Sequence, residues 1–329
     1  MNEKKPIRIF NTSWHLAHQY ELMKLPGTEW FQVVNSVRPT WKEKYMPRPK
    51  PANLHHVPYY EKGKYDLAIL HIDQQCVDTA LGKSRLYREL NESITDIPKI
   101  VINHGTPFWP EVFESEFIVM QMKALIGDNV MVTNSHKGLE MWKGIGRYSK
   151  AIIHGLDPNE WFDLPKEPRI ITTLSPSGLD RYYNRQLLIA VKERLKERGI
   201  AHTWIGGEWT SRDFDDYRNF LGRSAFYFNP TLESPMPRSR TEAMLSGACV
   251  VSLANHGAET FIKPGENGFL VPNNPVVIAD LFEELMNNLY RKSLAIGQAG
   301  KKTALELFGM NRYQSEWLEL ITNVIDKKI

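Results

Sequence analysis

The chain has 329 residues, of which 42% are hydrophobic, 24% charged and 11% aromatic. This composition supplies enough apolar side chains for sizeable cores, which excludes wholesale disorder, and the length favours roughly two domains. A net charge of +3 lacks the strong basic excess of specific DNA-binding proteins, so we expect no nucleic acid partner. No apolar run is long enough for a membrane helix.

The start of the chain leads into a strand-like run at Ile7 without the apolar stretch or cleavage site of a signal peptide. Cys76 and Cys249 are the only cysteines, which argues against a disulfide framework or a structural zinc site. We therefore expect a cytoplasmic protein, with peripheral contact at the inner face of the membrane as an open alternative.

Short apolar runs alternate with amphipathic, helix-length segments along most of the chain. This alternation predicts βαβ units and parallel sheets covered on both sides, so the expected fold class is α/β. The predicted strands are 7–10, 30–34, 66–72, 99–103, 130–133, 151–153, 169–174, 202–205, 225–228, 248–253 and 268–271. Helical spacing of apolar residues predicts helices over 184–198 and 314–325.

Two irregular segments suggest boundaries or functional loops. Three prolines and a cluster of turn residues between 154 and 168 indicate an interdomain linker, which separates a domain over 1–153 from a second over 154–309. The stretch 38–64 is rich in proline, basic and aromatic residues. It predicts either a functional surface loop or a poorly ordered insertion.

The most informative segment runs from 226 to 251 and predicts a strand, a polar loop, a short helix, a glycine stop and another strand. Pro237 suits the first helical turn, and Gly247 suits the position after the helix. The start of such a helix lies at the carboxyl edge of a parallel sheet, where backbone N–H groups and the helix dipole favour anions. Arg238 and Arg240 would add positive charge at the mouth of this site.

Two glutamates flank the same helix start. Glu242 is placed to accept hydrogen bonds from ribose hydroxyls, and Glu233 could accept one from a sugar hydroxyl. The alternative is that both carboxylates are solvated, or cap the helix and pair with the arginines.

The pattern of this segment resembles the C-terminal domain of GT-B glycosyltransferases of the family 4 type (glycosyl transferases group 1). The resemblance rests on the Glu233…Glu242 pair with the helix Glu242-Ala-Met-Leu-Ser-Gly247, and on Gly265-Glu-Asn-Gly268 beyond it. It extends to Ala151-Ile-Ile-His-Gly-Leu-Asp157 and to Ile100-Val-Ile-Asn-His104, and it spans residues 100–325 in matching order.

The resemblance implies two Rossmann-like, doubly wound domains that face a central cleft. The first would be the acceptor side, the second would bind a nucleotide sugar, and residues 310–329 would form a helix that crosses back to the first. The implied activity is retaining, metal-independent transfer of a sugar from a nucleotide-diphosphate sugar to a glycan, a lipid-linked or a small-molecule acceptor, as in cell-envelope glycan biosynthesis.

No cofactor and no metal are expected. The Asp-x-Asp sequence at Asp213 and Asp215 lies in a polar, helical region rather than in a strand–loop position suited to a metal-bound diphosphate. Arginines and helix N-termini would then stabilise the leaving diphosphate.

The resemblance also assigns candidate residues. His104 and Glu233 are the catalytic candidates, with a structural role as the alternative for the histidine. The donor-binding candidates are Glu242, Arg238, Arg240, Arg181, Gly206, Ser234, Met236 and Thr241. The acceptor-side candidates are Asp73, Ser13 and Trp14. Helix capping is the alternative role for Asp73 and for Ser135, and His154 is interpreted as a hydrogen-bonding residue of the linker.

Three departures from the family pattern keep other functions open. Eight residues separate Glu233 from Glu242 where the family has seven, no lysine accompanies Arg181, and 11–15 replaces a glycine-rich loop. The alternatives are a non-catalytic nucleotide-sugar-binding protein and a sugar-nucleotide epimerase of the same fold.

Overall fold

The computed structural model describes residues 5–34, 41, 48–109, 112–175, 180–234, 236–255 and 257–329, with the backbone alone at 180 and 181. The chain divides into two compact units. The first unit comprises Met1–Gly155 together with Asn311–Ile329, and the second comprises Leu156–Met310. Both units combine a parallel sheet with helices, which is the α/β class that the alternating pattern predicts.

Within the described residues, a seven-stranded parallel sheet forms the centre of the first unit. Its strands are β1 (Ile7–Thr12), β2 (Thr28–Val33), β3 (Leu54–Val57), β4 (Leu67–Ile72), β5 (Lys99–Asn103), β6 (Val130–Thr133) and β7 (Tyr148–Ala151). They lie in the order β3-β2-β1-β4-β5-β6-β7. The order therefore reverses between β1 and β4, and the carboxyl end of such a switch point is where open α/β sheets bind ligands.

The second unit has a five-stranded parallel sheet in its described residues. Its strands are β8 (Glu167–Thr173), β9 (His202–Ile205), β10 (Ser224–Asn229), β11 (Cys249–Leu253) and β12 (Phe269–Val271). Their order is β12-β11-β10-β8-β9. Every residue of β10 and β11 is buried, because helices cover both faces of a central parallel strand.

The first nine described helices lie between strands, and the last three follow β12. In chain order the helices are α1 (Leu16–Leu22), α2 (Gly82–Ser93), α3 (Ser115–Ile126), α4 (His136–Met141), α5 (Asp180–Tyr183), α6 (Arg185–Glu197), α7 (Phe214–Arg223), α8 (Arg238–Leu245), α9 (Ala258–Phe261), α10 (Pro275–Asn287), α11 (Tyr290–Leu307) and α12 (Met310–Ile325). Short 3-10 turns lie at Gln74–Val77 and Pro158–Glu160.

The last helix, α12, contacts the first unit. The side-chain amide of Gln314 donates to the carbonyl of Lys24 at 2.8 Å, and Arg312 donates to the carbonyls of Ile153 and His154 at 2.9 and 3.2 Å. Its apolar stripe is buried, with Trp317 only 1% exposed. Burial of an amphipathic stripe supplies most of the stability of such a helix.

Most predicted strands are confirmed, and those at 99–103, 130–133 and 202–205 agree to the residue. The prediction of an irregular stretch over 38–64 is wrong at Leu54–Val57, which forms β3. Within that edge strand only Leu54 is buried, so its Leu-His-His-Val sequence carries no strong apolar pattern. Positions 38–40 and 42–47 lie outside the described residues.

Candidate functional site

The strand β10, the loop after it and α8 build the most chemically distinctive region of the second unit. Pro237 occupies the N-cap position of α8 and provides no side-chain cap for the first turn. The helix ends at Ser246, and Gly247 follows with φ of +74°, the left-handed conformation that glycine adopts most easily. The side chain of Tyr227 on β10 donates to Ser239 at 2.6 Å, which fastens the helix start to the sheet.

The entrance to α8 is open to solvent. Glu233, Ser234, Met236, Arg238 and Ser239 are all partly exposed. Helix N-termini bind anions through their N–H groups and the helix dipole, provided that an anion can reach them. The described part of this turn meets that condition.

Arg240 does not lie at the mouth of the site, as the sequence led us to expect, but inside the unit. Its side chain is completely buried, and the guanidinium donates through Nη1 to Oδ1 of Asn255 at 2.5 Å. Nη2 lies 3.3 Å from the sulfur of Met236, and the guanidinium lies 5.1 Å from the centre of the Phe261 ring. The amide of Asn255 is fixed in turn by donating to Thr231 at 2.8 and 2.9 Å.

The buried charge of Arg240 has no carboxylate in ion-pair contact among the described residues, and its Nε donates to none of them. Burial lowers the pKa of Arg240 to about 10, so the group is still a cation at neutral pH. A buried cation outside ion-pair contact carries a desolvation cost, which the hydrogen bond to Asn255 and the more distant charge of Glu259 offset only in part. The side chain of Arg238 is 12% exposed and adds a second cation at the first residue of the helix.

Glu242 lies one turn further along α8 and is almost fully buried. Its Oε2 accepts a hydrogen bond from the hydroxyl of Tyr217 at 2.8 Å, and its Oε1 lies 4.0 Å from Nε of Arg238. Tyr217 is on α7 and is itself 4% exposed, so the carboxylate is held from one side by a rigid donor. The sequence did not single out Tyr217, because no local motif marks a tyrosine in an amphipathic helix.

The other predicted donor residues of this unit lie in varied surroundings. Gly206 follows β9 with φ of +95°, and its N–H donates to the carbonyl of Trp209 at 2.7 Å. Thr241 is buried within α8, whereas Glu233 and Ser234 are half-buried on the loop. The side chain of Arg181 lies outside the described residues.

Asp213 and Asp215, which form the Asp-x-Asp sequence, begin α7. Asp213 is the N-cap residue, and its carboxylate accepts the N–H of Asp216 at 2.8 Å. Asp215 pairs with Arg218 on the next turn of the same helix. No group of three metal-ligating side chains is present in the part of the chain that the structure describes.

A small cavity in the first unit lies at the carboxyl ends of β1 and β4. It is lined by Thr12, Ser13, Trp14, Leu70, His71, Lys83, Leu86 and Tyr87. The ammonium group of Lys83 lies 5.4 Å from the Trp14 ring centre and 2.6 Å from the carboxylate of Asp73. Asp73 also accepts the N–H of Gln75 at 3.0 Å, so the capping role stated as its alternative is present.

His104 follows β5 and is 8% exposed. Its Nε2 lies 2.9 Å from Nδ1 of His71, and its Nδ1 lies 3.1 Å from the side-chain amide of Asn134. The indole of Trp14 stacks on both imidazole rings, at 16° to each. His71 was missed from the sequence, because it stands within the apolar run of β4.

Two further predicted polar residues of the first unit have structural contacts. The hydroxyl of Ser135 accepts the N–H of Gly138 at 2.9 Å and so caps α4, which is the alternative role given for it. His154 is buried, at 2% exposure, in the linker segment.

None of the described helices is long and apolar enough to cross a membrane.

Comparison with known families bears on the segment that contains α8. Residues 181–288 match the model of the family described as glycosyl transferases group 1. This segment is therefore similar to the glycosyl transferases group 1 family. The predicted resemblance is thereby confirmed there, and Arg238, Arg240 and Glu242 all lie within the matched residues. No curated protein matches the chain in sequence.

Solved structures extend the likeness to nearly the whole chain. Sucrose-phosphate synthase from Thermosynechococcus elongatus is 13% identical, with a TM-score of 0.70 over 98% of this chain and 100% of that chain. HepE from Anabaena, in complex with UDP and glucose, is 14% identical, with a TM-score of 0.67 over 96% and 100%. A glycosyltransferase from Rickettsia africae is 14% identical, with a TM-score of 0.65 over 98% and 99%. The predicted GT-B fold with two Rossmann-like units is confirmed.

Proposed function

We propose that the protein is a glycosyltransferase that moves a sugar from a nucleoside-diphosphate sugar to an acceptor hydroxyl. The observation that carries this proposal is Arg240, a buried cation that pairs with no carboxylate of the described residues, beside the open start of α8. Its position inside the segment that matches the group 1 family supports the assignment.

The diphosphate of the donor would lie against the first turn of α8. The uncapped turn and Arg238 offer N–H donors to an anion, and Arg240 adds a buried positive charge behind them. The same groups stabilise the negative charge that develops on the diphosphate as its bond to the sugar breaks. Fixed donors of this kind contribute about 10²- to 10³-fold each to a rate.

The ribose of the donor would be bound by Glu242. A carboxylate accepts hydrogen bonds from vicinal hydroxyls, and Tyr217 holds this one in a single orientation. HepE was solved with UDP and with UDP-glucose, which makes these two compounds the first probes to use.

The acceptor would bind to the first unit, on the surface next to the small cavity that Ser13 and Trp14 line. An aromatic face next to the Lys83–Asp73 ion pair suits a polyhydroxylated molecule, because it offers an apolar surface beside strong hydrogen-bonding groups. A glycan, a lipid-linked sugar and a small molecule all meet this description. Retention of configuration and independence from metal are further parts of the proposal, and they rest on the family pattern of the sequence.

A thermal-shift screen with UDP, GDP, ADP and dTDP and their sugars tests the proposal. At a hundred times its Kd, a ligand stabilises the folded state by about 2.7 kcal/mol, which raises Tm by about 5 °C. The matching nucleotide sugar should then release nucleoside diphosphate slowly in the presence of EDTA.

Other outcomes would support the alternatives. Binding without any turnover would indicate a non-catalytic nucleotide-sugar-binding protein, and conversion to an epimeric sugar without transfer would indicate an epimerase. Failure of every nucleotide to bind would contradict the proposal itself.

A further inference from the structure

We infer that His71, held by Gln19, is a positioning residue that fixes His104 as the tautomer with its proton on Nδ1. His104 then acts as a hydrogen-bond donor and not as a base. The direction of this donor toward a sugar hydroxyl rests on the proposed function, whereas the tautomer rests on the contacts of the first unit alone.

The chain of hydrogen bonds begins at Gln19 on α1. Its Oε1 accepts the backbone N–H of Trp14 at 2.7 Å, and its Nε2 donates to the carbonyl of Thr12 at 2.7 Å. An amide whose oxygen receives a backbone N–H and whose nitrogen faces a backbone carbonyl has only one satisfactory orientation. The side-chain oxygen and nitrogen of Gln19 are therefore assigned.

The second N–H of Gln19 determines the tautomer of His71. This Nε2 lies 3.4 Å from Nε2 of His71, so the imidazole nitrogen must be the acceptor. A neutral imidazole that accepts at Nε2 carries its proton on Nδ1. His71 therefore donates from Nδ1 to Nε2 of His104, across 2.9 Å.

His104 then accepts at Nε2 and carries its own proton on Nδ1, which faces the side-chain amide of Asn134. Because Nδ1 of His104 is a donor, the oxygen of the Asn134 amide must face it. The amide group is therefore turned by 180° about its last bond, which puts Oδ1 at the position 3.1 Å from Nδ1 that Nδ2 would otherwise occupy. Asn134 makes no other side-chain hydrogen bond to the described residues, and it is only half-buried. The amide of Asn134 can therefore turn without breaking another hydrogen bond, whereas turning the amide of Gln19 would break its two hydrogen bonds to the backbone.

Packing against neighbouring rings fixes the positions of the His71 and His104 imidazoles. Trp14 stacks on His71 and His104 with ring centres 6.1 and 5.7 Å apart, and all three planes lie within a few tens of degrees of parallel. The edges of His15 and His18 meet the ring of His104 at 5.3 and 5.1 Å. The nitrogens of His104 are thus fixed in position as well as in protonation.

The consequence is a directed donor at the carboxyl edge of the sheet. Nε2 of His104 accepts a hydrogen bond from the N–H of His71. Its lone pair is therefore engaged, and this nitrogen cannot take a proton from a substrate. The N–H at Nδ1 faces the side-chain amide of Asn134. A sugar hydroxyl that displaces or bridges this amide would accept from the same N–H.

Imidazole ¹⁵N chemical shifts, measured by long-range ¹H–¹⁵N spectroscopy, test the tautomer directly. His71→Phe keeps a flat ring beside Trp14 but removes the donor, whereas His71→Asn keeps an N–H group at the position of Nδ1. We expect His104 to be protonated on Nδ1 in the unsubstituted protein and in His71→Asn, and to lose this single tautomer in His71→Phe. His15→Phe, on an exposed neighbour of the same ring, is the matched control and should leave the tautomer unchanged. A proton on Nε2 of His104 in the unsubstituted protein would overturn the inference.

Turnover distinguishes a positioning role from a purely structural one. With the nucleotide sugar that gives turnover in the screen, His71→Phe should lower kcat about tenfold, with the Kd for UDP unchanged and activity restored in His71→Asn. Equal kcat in both variants would contradict the role of His71. If no nucleotide sugar is turned over, the proposed function fails, while the tautomer measurement still decides the arrangement of the histidines.

Discussion

The two units differ in how their buried polar groups are satisfied. In the first unit, Gln19, His71, His104 and Asn134 form a continuous chain of side chains at hydrogen-bonding distance. In the second unit, Arg240 is a buried cation without a paired carboxylate among the described residues. A hydrogen-bonded network holds its members in place, whereas a buried cation outside ion-pair contact carries a desolvation cost that an anionic ligand would reduce. The first arrangement is therefore expected to position groups, and the second to bind.

The largest effect is expected where the buried charge of Arg240 is removed. Arg240→Met should lower turnover about 100-fold or more and weaken UDP binding, because the diphosphate loses a buried positive charge. The free energy of unfolding without ligand should stay the same or rise by about 1–2 kcal/mol, because the desolvation cost of the cation disappears. Calorimetric titration with UDP and urea unfolding measure the two effects.

Arg238→Met is the matched control, because this arginine is partly solvated. It should weaken UDP binding less and leave the free energy of unfolding nearly unchanged, and the double variant should lose more turnover than stability. A large loss of stability in Arg240→Met with normal UDP affinity would show that the arginine only supports the fold. Activity that survives in the double variant would place the charge clamp elsewhere, with Arg181 as the next candidate.

Removing the carboxylate of Glu242, on the same helix, should have a smaller effect than removing the charge of Arg240. Glu242→Ala should weaken UDP binding about 10- to 100-fold, because hydrogen bonds to a charged group are worth about 1.5–3 kcal/mol. Tyr217→Phe keeps the carboxylate and removes only its donor, so its loss should be several times smaller.

Inorganic pyrophosphate provides the control for this prediction, since it lacks a ribose. Its affinity should be unchanged in Glu242→Ala. If UDP binds with unchanged affinity, Glu242 does not contact the nucleotide; if pyrophosphate weakens equally, the substitution has disturbed the helix start.

Acid should destabilise the second unit through His202, a half-buried residue of β9. Burial lowers the pKa of His202 to about 3, and its Nε2 lies 3.1 Å from the hydroxyl of Thr172. Between an ordinary pKa near 6.5 and about 3, the unfolded chain binds a proton that the folded chain does not, so stability falls as the pH falls through this range. The loss should reach about 2 kcal/mol by pH 5.

Urea unfolding at pH 7 and pH 5 measures this loss, and His202→Gln should reduce it. If both proteins lose the same stability on acidification, His202 is not the group that titrates. The ring network of the first unit is untouched by this substitution, so the comparison isolates the second unit.

The smallest effect on activity is expected from Trp14, at the proposed acceptor site. Trp14→Phe should raise the KM for the acceptor about fivefold, because a smaller ring stacks on less surface, and the Kd for UDP should not change. Initial rates with varied acceptor, once one is known, measure the change. A weaker affinity for UDP in this variant would contradict the division of roles between the two units.

The sequence was sufficient for the architecture because buried parallel strands leave strong apolar runs. The start and stop of α8 were also predictable, since Gly247 supplies the left-handed residue that ends the helix. The burial of Arg240 was not predictable, because the groups around it, Asn255 and Phe261, come from later segments of the chain.

The histidine pair shows the same limit in the first unit. His104 stood out because it follows a strand at the sheet edge, whereas His71 is hidden within an apolar strand and its partner is 33 positions away. Tyr217 and Glu242 are 25 positions apart and likewise carry no shared motif. Local pattern finds the element on which a group lies, and only packing decides which groups meet.

A crystal structure of the protein with UDP tests the central claim most directly. We predict that the diphosphate lies against the first turn of α8, within hydrogen-bonding distance of Arg238 or Arg240, with the ribose at Glu242. Well-defined UDP bound elsewhere, with the start of α8 occupied by protein side chains, would contradict the account.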